Sequence, residues 1–171
     1  MSNCFTQACA AALLAFSLMA GSAQMAQAEG VKPAASASGV IAAKSAYGME
    51  ETVAHLKKDI AAKGITFFQE IDQAALAAKA GISLKPSVLL IFGNPPLGTQ
   101  FITANPQAGL DWPVRMLVYR DDAGAVWVVY TDFGWIARRH GVTSRDAQFH
   151  MASEVAASIA ASVVSRLEDR P

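Results

Sequence analysis

All the charge in this sequence lies beyond one point. Fourteen basic and fourteen acidic side chains are present, and the first of them is Glu29. The preceding 28 residues are uncharged apart from the amino terminus, so a folded core has to be built from the 143 that follow. That length is typical of one domain. Within the uncharged segment, Ala10–Ala20 is an apolar run of 11 residues. It is short of the roughly 20 needed to span a membrane, and it matches the core of a secretory signal. Polar Ser22, Gln24 and Gln27 interrupt the run, and Ala26–Ala28 (AQA) supplies the small-x-small pattern of a signal-peptidase site. Only the usual basic residue is missing from Met1–Gln7. The expectation is a cleaved signal peptide over 1–28, export to the periplasm, and no stable membrane anchor after processing.

Both cysteines, Cys4 and Cys9, fall inside that leader. The mature chain has none, so its stability must come from its core alone. Basic and acidic residues balance to zero, and no basic cluster exceeds Arg138–His140. Nucleic acid is therefore a poor fit as a partner.

Residues 29–38 (EGVKPAASAS) are small, polar and Pro-containing, and read as a disordered lead-in to a single domain over 39–171. The pattern then predicts a strand at Gly39–Ala46. A helix follows at Met49–Lys63, its stripe formed by Met49, Val53, Leu56 and Ile60 and its end set by Gly64. Ile65–Ile71 is β-branched and aromatic, hence a strand. Asp72 caps a short helix over Gln73–Ala80. Ser87–Phe92 (SVLLIF) reads as a central strand buried on both faces. Asn94 and Pro95 open a helix to about Ala104. Val114–Arg120 and Ala125–Tyr130 flank the turn Asp121–Gly124 as a hairpin. Asp132 caps a helix to His140. Thr143 with Asp146 forms a capping pair, and Phe149, Ala152, Ala156, Ile159, Val163 and Leu167 line a long final helix. The order β-α-β-α-β-α-β-β-α-α implies an α+β fold, with helices packed on a mixed sheet of about five strands.

Chemistry-bearing residues are sparse. His55 and His150 point away from the apolar stripes of their helices, and His140 ends a helix where a cation suits the macrodipole. No metal-ligand spacing, phosphate loop or nucleophile elbow occurs, so no cofactor is expected. The segment Gly93–Gly98 leaves the most apolar strand and enters a helix N-terminus, a place where backbone N–H groups can hold a ligand. Its glycines would let a ligand approach, with the N–H groups of Leu97 and Gly98 free to face it. The ligand-site expectation is therefore Gly93, Asn94, Leu97, Gly98, Thr99 and His140.

Several stretches carry a resemblance: Ile91–Pro95 (IFGNP), Gly98–Thr99, Leu110–Pro113 (LDWP), Val118–Gly124 (VYRDDAG) and Ala137–Gly141 (ARRHG). Upstream, Glu51–Thr52, Lys63–Gly64, Glu70–Asp72, Ala80–Gly81 and Lys85–Pro86 fit the same pattern. Together they make the chain, from about Ser45 to the final helix, similar to domain-of-unknown-function family 302. The resemblance implies a compact α+β domain, often dimeric, with no agreed activity. Many members have histidine where this chain has Gln73, and some have cysteine where it has Gly93, so neither imidazole nor thiol chemistry carries over at those positions. The reading is a non-catalytic module of the cell envelope that binds a small molecule or serves as an accessory, with a homodimer as a second partner. The alternative is an enzyme built from Asn94, Thr99, Asp132 and His140. Convergence of Asn94, Thr99 and His140 on one pocket would favour a ligand site of either kind, and scattering would not.

Overall fold

A computed structural model describes residues 35–164 of the chain. The element order is the one the periodicities imply: β1 (Val40–Lys44), α1 (Met49–Ala62), β2 (Thr66–Asp72), α2 (Gln73–Lys79), β3 (Ser87–Gly93), α3 (Pro95–Ala104), β4 (Val114–Arg120), β5 (Val126–Thr131), α4 (Phe133–Arg139) and α5 (Asp146–Ala161). A 3₁₀ turn at Pro106–Leu110 links α3 to β4. The expected signal peptide, most of the lead-in and Leu167 lie outside the described residues. Ser36–Ser38, at the end of that lead-in, form a turn in which Ser36 N–H donates to Val40 O at 2.9 Å.

The five strands run β1-β5-β4-β3-β2. Every adjacent pair is antiparallel, so the sheet expected to be mixed has no parallel pair. The first strand closes onto the last, with Ala43 opposite Val128, which places β4 at the centre. Alternation along the strands sets the core. Val126, Val128 and Tyr130 of β5 are buried, as are Met116 and Val118 of β4 and Leu90 and Phe92 of β3. Their neighbours Trp127, Val129, Leu117, Leu89 and Ile91 point to the other face and are only half-buried. Ser87–Phe92 is therefore an interior strand, paired with β2 and β4, but it is not buried on both faces. Its unbroken apolar run matches two different environments, a closed face and a half-exposed one, which composition alone does not separate.

Helices close the core with Leu56 and Ile60 from α1, Phe101 from α3, Phe133 and Ile136 from α4, and Phe149, Ala156 and Ile159 from α5. On α1 the fully buried fourth position is Thr52, while Val53 is half-buried. The Thr52 hydroxyl donates to Gly48 O at 2.7 Å and pairs with Ser45 Oγ at 2.7 Å, which makes its burial affordable. The final helix starts later than expected. Arg145, at φ 78°, takes the N-cap position and Asp146 is the first helical residue, so no capping pair forms with Thr143.

Candidate functional site

The turn after β3 was expected to hold the site, and four of its residues do meet there. Gly93, Asn94, Leu97 and Gly98 line an apolar cavity of about 40 Å³, whose walls include Phe92, Phe101 and Trp112. Against it lies a wider groove of about 450 Å³ that shares Ile65, Asn94, Leu97 and Val155 with the cavity and is bordered by Lys63, Met151 and Glu154. The cleft thus runs between the start of β2, the N-terminus of α3 and one face of α5.

The polar groups are arranged differently from expectation. Asn94 Oδ1 accepts from Leu97 N–H at 3.2 Å, and Asn94 O accepts from both Leu97 N–H (3.1 Å) and Gly98 N–H (2.8 Å). Neither backbone donor is free. The reason lies in the helix start: Pro95 is the first helical residue, so Gly98 is the fourth and its N–H closes the first intrahelical bond to the Asn94 carbonyl. The space over the glycines is also filled. A Cβ on Gly98 would collide with the Trp112 indole, and one on Gly93 would stand 3.1 Å from its Nε1. Two residues without side chains seat an indole rather than admit a ligand to the backbone. The outer side of that ring meets Phe68 edge-on, at 6.2 Å between centroids.

Thr99 and His140 do not join this cleft. The Thr99 hydroxyl donates to Pro95 O at 2.8 Å, the usual back-bond of a helical threonine. His140 lies elsewhere, with Nε2 at 2.6 Å from Asp111 Oδ2 and both side chains 4% exposed. Asp132 caps α4 by accepting from Trp135 N–H at 2.7 Å. Asn94 and Thr99 share the start of α3, Asp132 caps α4 and His140 pairs with Asp111, so each residue of the enzymatic alternative is already engaged.

A family model for the domain of unknown function DUF302 matches residues 41–165. The chain belongs to the DUF302 family. A crystal structure of a DUF302 protein from Bacillus stearothermophilus superposes with a TM-score of 0.60, over 73% of this chain and 95% of that one, at 18% identity. Among curated proteins, the chain is 35% identical over 105 residues to fluoride-specific ion channel FluC 1 of Brucella suis, covering 61% of this chain and 41% of the channel protein. The FluC 1 protein of Brucella abortus matches equally, with 39% of its length covered. The chain spans about two fifths of the length of these curated relatives.

Asp111 is the polar centre that sequence reasoning missed in this DUF302 domain. Its carboxylate faces His140, Arg115 Nη2 at 3.1 Å and Arg139 Nη1 at 3.3 Å, while Asn105 Nδ2 donates to His140 O at 2.7 Å. Both halves of the pair were visible in the LDWP and ARRHG motifs, but their meeting joins residues 29 positions apart. One carboxylate holding one imidazole and two guanidiniums is a satisfied cluster that ties the 3₁₀ turn to the end of α4. Among the described residues no hydroxyl or thiol bonds to its carboxylate, and Thr131 lines the small cavity beside it. The remaining histidines stay apart: His55 stacks on Tyr47 at 4.5 Å, and exposed His150 lies 3.6 Å from Glu154. No group of three metal-ligating side chains occurs among the described residues.

Proposed function

We propose that this DUF302 domain is an exported, non-catalytic module of the cell envelope that holds a small apolar molecule in the cleft between β2, α3 and α5. The observation that carries the reading is the pairing of an apolar inner cavity with an adjoining groove of about 450 Å³. The groove's volume lies within the range of about 300–1,000 Å³ usual for small-molecule sites; Lys63, Asn94, Glu154 and Ser158 border it, while the inner cavity behind it is lined almost wholly by apolar side chains. Asn94, Thr99, Asp132 and His140 are each committed to a cap, a back-bond or an ion cluster, which argues against the enzymatic alternative.

The accessory part of the reading draws support from the channel relatives. Their names describe fluoride-specific ion channels, yet no described helix of this chain is long and apolar enough to cross a membrane. Only 41 residues of the chain lie outside the described set, so most of the 105 matched residues fall on the sheet and its helices. A module of this kind accompanying a membrane protein fits that division.

Native mass spectrometry of the protein recovered from a periplasmic extract tests the proposal. The parent should carry added mass that denaturation releases, and Val155→Trp, which fills the groove, should not. A parent without an adduct, whose melting temperature is unmoved by toluene or 2-heptanone, would overturn it.

A further inference from the structure

We infer that the molecule held in this cleft is a neutral one bearing a carbonyl or hydroxyl oxygen on an apolar body, and that the Trp112 indole N–H donates to that oxygen. The inference rests on the cleft reading above and specifies its chemistry.

Donors on the cavity wall are scarce. The N–H groups of Leu97 and Gly98 are both taken by Asn94, and Asn94 itself stands exposed at the mouth. The indole of Trp112 differs. Trp127 shows how such a group is normally satisfied, its Nε1 donating to Asp121 Oδ2 at 2.7 Å. Trp112 Nε1 donates to no described residue, although the ring is partly buried and lines the cavity. No sealed side-chain nitrogen or oxygen lacks a partner among the described residues, so this nitrogen retains accessible surface. A partly buried N–H without an acceptor, on an otherwise apolar wall, favours a molecule that supplies one oxygen.

The charge of that oxygen follows from what surrounds it. No residue lining the inner cavity is charged. A carboxylate brought there would lose its hydration and gain no cation, whereas a ketone, ester or alcohol oxygen loses far less. The cations and anions of the cleft sit at its outer rim and already have partners: Lys63 Nζ is 2.8 Å from Asp59, and Glu154 lies beside His150. Recognition inside the cavity therefore reduces to shape and the indole donor, with the Asn94 amide at the mouth. Glycine at positions 93 and 98 is what lets the ring lie against the start of α3 with its nitrogen at this wall.

The test uses the whole mature protein labelled with ¹⁵N and follows the indole N–H signals of its three tryptophans. Trp112→Phe assigns the signal by its disappearance; should that variant not fold, Trp127→Phe and Trp135→Phe assign it by elimination. Three probes are titrated: 2-heptanone, which carries a neutral acceptor, toluene, which carries none, and heptanoate, which carries a charged one. The expected result is a downfield shift of the Trp112 N–H with 2-heptanone alone. Trp112→Phe should bind 2-heptanone about five- to tenfold more weakly, the worth of one hydrogen bond, and toluene as the parent does. Equal response of the N–H to toluene and 2-heptanone, or tighter binding of heptanoate, overturns the inference while leaving the cleft a binding site. Resonances of Leu97 and Val155 unmoved by every probe overturn the cleft reading, and this inference with it.

Discussion

Trp112 stands where a side chain on Gly98 would have to go. The indole lies over Gly93 and Gly98 together, so the end of β3, the start of α3 and the segment before β4 interlock through one ring. The Asn94–Pro95 turn is thereby a packing joint as well as the lip of the cleft.

Gly98→Val should consequently destabilise the fold by about 1–3 kcal/mol, the usual consequence of forcing extra atoms into a filled site. In a Trp112→Ala background the same substitution should cost less, giving a coupling energy on the order of 1 kcal/mol. Urea midpoints of the four proteins measure it. Additive effects would mean that the ring and the glycine do not share this space.

Asp111 should be the most costly polar residue to remove. Asp111→Ala strips the carboxylate from the ring nitrogen of buried His140 and from two half-exposed guanidiniums, and leaving a buried polar group without its partner typically costs about 1–3 kcal/mol. Arg115, half exposed, can return to water, so Arg115→Ala should stay within about 1 kcal/mol. Denaturant midpoints in the opposite order would show that the cluster is not the tie described above.

What the sequence made legible was local. Gly64, at φ 65°, ends the helix it was expected to end, and Asp72, Asn94 and Asp132 cap the ones they precede. The long-range partners were not legible. Nothing near Val40 indicates that β1 pairs with β5, where its partner is Thr131, and that pairing is what moves β4 to the centre. The ligand-site residues split for the same reason: Gly93, Asn94, Leu97 and Gly98 are neighbours in sequence and converge, whereas His140 is claimed by Asp111. Trp112 gave no periodic signal, because it sits in a connecting segment whose direction only the folded chain defines.

The two faces of β3 give a direct check on that sheet order. Leu90 is fully buried and Ile91, on the opposite face, is half-buried. Leu90→Ala should cost about 2–5 kcal/mol and Ile91→Ala clearly less, because less surface returns to water. Equal losses in chemical denaturation would place a cover over the second face.

The proposed export makes a prediction about the amino terminus. Cleavage after Ala28 leaves Glu29 first, since Ala26 and Ala28 are the small residues that follow the apolar run. Intact mass of the secreted protein reads it directly. A mature chain retaining Cys4 is incompatible with cleavage there.

Stability should depend on pH through two side chains of the β4–β5 hairpin region, with opposite signs. Burial, aided by the charge of Asp132, pushes the Tyr130 phenol up to about 12. An unfolded tyrosine releases its proton near 10, so the unfolded state is favoured first as the solution becomes alkaline. The Tyr130 contribution is thus complete below about pH 10 and is lost between about 10 and 12, by up to about 2–3 kcal/mol. Asp121 behaves in the opposite sense. The Trp127 indole bond holds its carboxylate below the ordinary range, so its contribution is present above about pH 4 and disappears as the pH falls through the folded value. Urea unfolding across pH separates the two. Tyr130→Phe should flatten the alkaline arm of the stability curve and leave the acid arm alone, and Asp121→Asn should do the reverse. An alkaline arm unchanged in Tyr130→Phe would assign that loss to another group and remove the buried phenol from the account.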